Sequence, residues 1–409
     1  MSIVQASTSY KQTRPPQGAG SIPLVVPEIS GNEWKYLKEC LDTGWISSAG
    51  PFVERFERTV GNYLGVESAV ATVNGTAALH IALLVAGIEP ETEVLVPALT
   101  FVAPANAIRY VGAHPVFIDV DPATWQIDTE KVSDFLRKEC HPKEGGGLIH
   151  RATGRRVSGI LPVHILGHPC DMDPLCELGR TYNLRIIEDA AEALGARYRG
   201  KRVGALGDVA GLSFNGNKVV TAGGGGMVLS RNPEWGRKAR YLTTQAKDHP
   251  VEYIHNQIGY NYRMTNLEAA VGCAQMERLE IHLERKRRIA FRYREKLSLL
   301  PGVEWMPCAD WAEPTYWLST IRLKGYGPTA AERLVAFLRE RGIEARRLWR
   351  PLPMLPIYRD AVGYHVEVAP LLYAEAVMLP SSVGLSQGDQ ERVIQTVQAW
   401  HHTLEAVER

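Results

Sequence analysis

From about Ile22 to Met276, short apolar runs alternate with amphipathic stretches, the pattern of a parallel sheet covered by helices on both faces. The runs AVATV, EVLVPA, PVFIDV, GILPVHI, LRIIEDA, DVAGLSF and GGMVLS predict the strands. Asn74 to Ala86, NGTAALHIALLVA, predicts a helix entered through a Gly-Thr turn, with Leu79, Ala82, Leu83 and Ala86 on one face. The N-terminus of such a helix is an anion site. Cys140 to Arg156 breaks the alternation with glycine and charge and predicts a loop or short hairpin. A long helical pattern follows from Gln275 to Leu300, with Leu279, Leu283, Phe291 and Leu297 among its apolar positions. Its run from Glu284 to Arg288 reads as a solvated face, because Glu277, Glu280 and Glu295 accompany it. Then TYWLSTIRL predicts a strand, AAERLVAFLRERGI a helix and QERVIQTVQAWHHTL a terminal helix. The expected organisation is a tail over residues 1–20, a large α/β domain over 21–275, and a linking helix with a small α+β domain over 276–409.

Composition narrows the function classes. At 409 residues and 45% hydrophobic content the chain can bury more than one core. Lys plus Arg, 46, nearly cancels Asp plus Glu, 45, so no overall field recruits nucleic acid or an anionic membrane, and a small-molecule substrate is expected. The six cysteines form no C-x-x-C pair and no metal-ligand spacing, which points to reduced thiols and no metal site. No apolar run approaches the ~20 residues of a membrane span, and the N-terminus lacks an apolar signal core; a cytoplasmic location is the expectation.

The chemistry concentrates in residues 186–228. Asp189 directly follows an apolar strand, at the carboxyl edge where open α/β sheets bind ligands. A carboxylate there can keep a pyridinium nitrogen protonated; equally, it can cap a following helix. Lys218 follows a second strand and precedes the run Gly223 to Gly226. Its amine suits a Schiff-base nucleophile, or it is a surface lysine at a strand end. Ser213 and Gly75-Thr76-Ala77 offer hydroxyls and helix N-terminal N–H groups to one phosphate, although capping alone would explain each singly. The glycine run lacks the G-x-x-x-x-G-K-[ST] order of a nucleotide loop.

At these residues the sequence resembles the DegT/DnrJ/EryC1/StrS sugar aminotransferases, which are fold-type I pyridoxal-phosphate enzymes. The resemblance rests on ordered motifs: TGWISSAGPFVERFE, NGTAALHIAL, VPALTFVAPANAI, PVFIDVD, PVHILGHPCDMD, EDAAEALGA, SFNGNK and GYNYRMTNLEAAVG. It implies a large domain with a mostly parallel sheet flanked by helices, and a small C-terminal α+β domain. It further implies Lys218 as the Schiff-base lysine and Asp189 as the partner of the pyridine nitrogen. Phe101 matches the aromatic that stacks on the cofactor ring, a role that core packing could replace. Gly75, Thr76, Ala77 and Ser213 match phosphate-binding positions. Ala191 falls in the EDAAEALGA motif, and Glu192 matches a polar position near the ring hydroxyl. Asn261 matches a residue lent by a partner subunit, which implies a homodimer with shared sites; by itself it reads as a turn residue. One departure is Gly224, where the family commonly carries glutamate.

Finer features, among them RRLWRPLPMLPIY and LPSSVGL, are similar to the LegC and bacillosamine-type 4-aminotransferases. That branch implies transfer of an amino group from L-glutamate, leaving 2-oxoglutarate, to C4 of a UDP-linked 2-acetamido-2,6-dideoxy-hexos-4-ulose. The cofactor would pass through pyridoxamine 5'-phosphate. Trp45, Arg263 and Trp317 are the candidates to meet the sugar nucleotide, with core packing an equal reading for the tryptophans. A GDP- or dTDP-linked keto sugar, an ordinary amino-acid substrate and a non-catalytic regulator are the alternatives.

Overall fold

The computed structural model describes residues 20–143, 146–249 and 251–405, so that all but the end of the expected tail lies outside the described residues. Seven strands form the body of its large sheet: β1 (Ser68–Thr72), β2 (Glu93–Pro97), β3 (His114–Ile118), β4 (Arg156–Ile160), β5 (Arg185–Asp189), β6 (Val209–Ser213) and β7 (Gly226–Ser230). Their spatial order is β1-β7-β6-β5-β4-β2-β3, with Gly363–Tyr364 added beside β3. All pairings along this path are parallel except those of β7, which runs antiparallel to both β1 and β6. The continuous apolar character of these runs follows from their position: all five residues of β2 are buried, as a strand covered on both faces requires.

Topology converts this order into a site. Because β1, β2, β3, β4, β5 and β6 point the same way, their carboxyl ends gather along one edge. Reversed β7 instead brings its beginning to that edge, pairing Gly226 with both Thr72 and Ser213. The glycine run therefore faces the same space as Asp189 and Ser213. The helix after β1, Gly75–Val85, aims its N-terminus there too, capped by Asn74, whose side chain accepts the Ala77 N–H at 2.8 Å.

A second core surrounds an antiparallel sheet of Val303–Trp305, Thr320–Leu323, Ala376–Met378 and Arg346–Arg347. Helices Leu279–Leu297, Ala330–Glu340 and Gln387–Glu405 belong to this region. The chain crosses between the two cores at both ends. Ile22 packs in the second core and bridges Ile343, while Leu348, Leu352 and Tyr358 pack in the first. Among the described residues no helix is long and apolar enough to cross a membrane.

Several sequence expectations shift. The Cys140–Arg156 segment is a hairpin of Cys140–Pro142 and Leu148–His150, whose second strand also pairs antiparallel with β4. The long helix begins only at Leu279; a separate helix, Asn266–Met276, precedes it and opens on a Thr265–Glu268 capping box. TYWLSTIRL is extended only over Thr320–Leu323, because Tyr316 has a left-handed φ of 50°. On the linking helix Phe291 is 53% exposed, whereas Lys286, expected on the solvated face, is 2% exposed.

Candidate active site

A cavity of about 690 Å³ opens at the carboxyl edge of the large sheet, and the smaller sheet adds Arg346, Arg347 and Met378 to its walls. Asp189 ends β5 and is buried, with Oδ1 accepting the Ala191 N–H at 3.0 Å. Turns follow it instead of a helix, so helix capping does not account for the carboxylate. Burial raises its pKa above the ordinary carboxylate value, while the nearby Lys218 ammonium acts in the opposite direction. Among the described residues no ion pair is made by this buried carboxylate, an arrangement that fits a cationic ring nitrogen.

Lys218 Nζ lies 3.3 Å from Glu192 Oε1 and 4.1 Å from the centre of the Trp317 ring. Glu192 is buried, and its Oε2 accepts the Leu166 N–H at 2.8 Å. Desolvation pushes its carboxyl pKa up to about 7, against the attraction of Lys218. Behind β5, Glu188 accepts the N–H groups of Gly204, Leu206 and Gly207 and faces His164 Nε2 at 3.2 Å. His164 Nδ1 in turn accepts the Cys170 N–H at 2.9 Å, which fixes the imidazole at the cavity wall beside Asp189.

The phosphate end is shaped by close approach. A Cβ at Gly75 would stand 2.8 Å from Ser213 Cβ, so only glycine lets the helix N-terminus meet the end of β6. Gly75, Thr76 and Ser213 all line the cavity, giving a small cradle of N–H and hydroxyl donors suited to a dianion. Gly225 has φ +102°, and a Cβ there would lie 2.3 Å from Met264 Cε. Gly225→Ala is therefore expected to destabilise the fold by about 1–3 kcal/mol, read as a lowered denaturant midpoint. At Gly224, where the family glutamate is missing, a Cβ would stand 2.8 Å from Glu268 Oε1. The Glu268 carboxylate occupies the space into which a side chain at 224 would start.

Of the expected residues, Gly75, Thr76, Phe101, Asp189, Ala191, Glu192, Ser213, Lys218 and Trp317 line this one cavity. Phe101 is 55% exposed on its wall, so core packing does not explain it. Ala77 is buried, and its N–H is already taken by Asn74, so it offers no free phosphate donor. Trp45, Asn261 and Arg263 also lie outside the cavity lining of this chain. Trp45 follows the helix Glu33–Thr43 with its ring half-exposed and its carbonyl accepting from Asn266. Asn261 and Arg263 form backbone bridges to Thr244 and Thr72, which leave their side chains uncommitted by those contacts. Sequence reading missed Arg346, Arg347 and Trp349, which reach the cavity from the second sheet region. RRLW was visible as a motif, but its placement depends on a strand register that no local pattern encodes.

Fold and donor set together define a pyridoxal-phosphate-dependent enzyme of the aminotransferase class. The chain belongs to the DegT/DnrJ/EryC1/StrS aminotransferase family, whose profile matches residues 27–398. It is 40% identical over 374 residues to a GDP-perosamine synthase from Caulobacter vibrioides, covering 91% of this chain and 96% of that one. It is 39% identical over 367 residues to a GDP-perosamine synthase from Escherichia coli O157:H7, covering 89% and 94%. The crystal structure of the aminotransferase TlmJ from Streptoalloteichus hindustanus is similar with a TM-score of 0.85 and 29% identity, over 94% of this chain and 100% of that one. The fold-type I architecture expected from the sequence thus holds.

Proposed function

We propose that this protein transfers an amino group from L-glutamate to C4 of a GDP-linked 4-keto-6-deoxyhexose. The near-full-length identity to two GDP-perosamine synthases carries this reading and favours a guanosine nucleotide over the uridine nucleotide expected from the finer motifs. When bound, pyridoxal phosphate supplies an aldehyde carbon that captures amines and a ring that takes up the electrons released at the substrate carbon.

The side chains of the chain divide the remaining work. Lys218 would hold the cofactor covalently, and its amine would carry a proton to and from the reacting carbon. Asp189 holds a proton at the ring nitrogen, and Glu192 meets the ring hydroxyl. Gly75, Thr76 and Ser213 bind the phosphate, and Phe101 fixes the plane of the ring. Trp317 and Trp349, stacked with centroids 6.3 Å apart and 4° between planes, form an aromatic wall for the sugar. Arg346, exposed at the cavity and on the second-sheet side, meets the substrate diphosphate.

Two copies of the chain are proposed to share their sites, with Asn261 and Arg263 acting across the dimer interface. The preceding segment supports this, because Val251, Tyr253 and Ile258 are 78%, 88% and 83% exposed and offer an apolar surface for a second copy.

Incubation with glutamate and GDP-, UDP- and dTDP-linked 4-keto-6-deoxysugars, with products read by mass and NMR, tests the assignment. The GDP sugar is expected to be preferred by about tenfold or more in kcat/KM. Transfer to the UDP sugar alone overturns the guanosine reading. Arg346→Ala should raise KM for the sugar nucleotide by about tenfold or more, the scale of a lost charge-assisted hydrogen bond, with kcat less affected. An unchanged KM would remove Arg346 from the substrate site.

A further inference from the structure

Lys286 is a buried lysine on the linking helix, outside the cavity lining. Burying an ammonium is costly unless its hydrogens are satisfied, and an apolar side chain would fill the same space without that cost. Its Nζ donates to the carbonyl of Trp317 at 2.8 Å and to that of Ser381 at 2.8 Å. Among the described residues no carboxylate pairs with it, and burial lowers its pKa to about 7. Two backbone segments far apart in sequence are thereby tied to one helix.

The same helix face reaches the other side of Lys218. One turn earlier, His282 Nδ1 donates to the Val219 carbonyl at 3.3 Å. Trp317 closes the circuit: its Nε1 donates to the Asn217 carbonyl at 2.7 Å, its backbone N–H to Leu166 O at 3.0 Å, and one ring face packs on Trp349. Leu166 N–H meets Glu192, whose other oxygen faces Lys218. The residues before and after Lys218 are thus held by groups that the linking helix anchors.

We propose that Lys286 is a positioning residue for Lys218, acting through Trp317: it fixes the Trp317 backbone so that the indole stands over the Lys218 amine. A cationic group is attracted by an aromatic face, so displacement of the ring removes a contact that favours the positively charged form of a group held at the Lys218 nitrogen position. This inference rests on the assignment of Lys218 as the cofactor-bearing lysine.

The test compares Lys286→Met, Trp317→Phe and the double variant as holoenzymes. The readout is the pH midpoint of the near-visible absorbance of the lysine-bound cofactor. Each single change is expected to shift that midpoint by about half a unit or more, the scale set by one cation–π contact. The double variant should shift no further than the larger single one, because both act through the same ring. Wild-type midpoints in the single variants, or fully additive shifts in the double, overturn the inference. If Lys286→Met does not fold, Lys286→Gln replaces it; its amide is one bond shorter and sets an oxygen beside its N–H donors, which weakens the tie to the Trp317 and Ser381 carbonyls without removing it. A midpoint between wild type and Trp317→Phe supports the inference, and the wild-type midpoint overturns it. A wild-type holoenzyme without the absorbance band overturns the Lys218 assignment and this inference with it, whereas an unshifted band overturns the inference alone.

Discussion

Lys218→Ala is expected to abolish the near-visible absorbance of the bound cofactor and to lower turnover on the order of 10⁴-fold, the upper range for a positioned acid–base group. Two losses combine in this one substitution. The covalent anchor goes, and on the proposed assignment the cofactor would be left to Asp189, Glu192, Phe101 and the phosphate cradle. The proton carrier goes too, and no neighbour replaces it: Glu192, 3.3 Å from the Lys218 amine, already receives the Leu166 N–H and lacks the reach of a lysine. The fold itself should survive, because the Lys218 side chain is 13% exposed at the cavity wall and the surrounding turn is pinned by backbone bonds at Asn217 and Val219. A retained absorbance band in a folded Lys218→Ala protein would show that another amine holds the cofactor. Retained turnover would refute the acid–base role separately.

Asp189→Asn should lower kcat by about 10²–10³-fold, the usual cost of removing one preorganised electrostatic partner, while leaving the backbone intact. An amide is nearly isosteric and can still accept the Ala191 N–H, yet it cannot hold a proton on the ring nitrogen. The same substitution should make the cofactor-free protein more stable at neutral pH. Burial raises the folded-state pKa of Asp189, so its contribution to stability is fully present below the ordinary carboxylate value and is lost as pH rises through the raised one. Removing the charge removes that loss. Thermal midpoints of cofactor-free wild type and variant should therefore diverge with rising pH and converge in acid. A variant that melts lower than wild type at neutral pH, or that turns over at the wild-type rate, contradicts the assigned role.

Much of the site was legible because the motifs mark strand ends. Asp189, Ser213 and Lys218 each follow an apolar run, and a doubly covered parallel sheet collects such ends at one edge. The reversed direction of β7 was not legible, since GGMVLS is as apolar as its parallel neighbours and a buried strand carries no local mark of direction. Lys286 was misread for a related reason. Its run of charges obeys the rule for a solvated face, but one lysine of the run points inward, where two carbonyls of distant segments receive it. The left-handed turn at Tyr316, which cuts short the expected strand and delivers Trp317 to the cavity, follows from docking against Leu166 and Gly167 and not from local preference.

The sequence by itself determined the alternation of buried strands and helices, which follows from periodicity, and its ordered motifs pointed to the family, the cofactor and Lys218 with Asp189 as the candidate pair. Tertiary structure alone decided which residues share the cavity. It admitted Arg346 and Trp349, left Trp45, Asn261 and Arg263 outside the lining of this chain, and joined Lys286 to Lys218 through Trp317. The physical reason is that such contacts depend on sheet register and on the docking of one core against the other, which are set by long-range packing and hydrogen bonds between segments far apart in the chain.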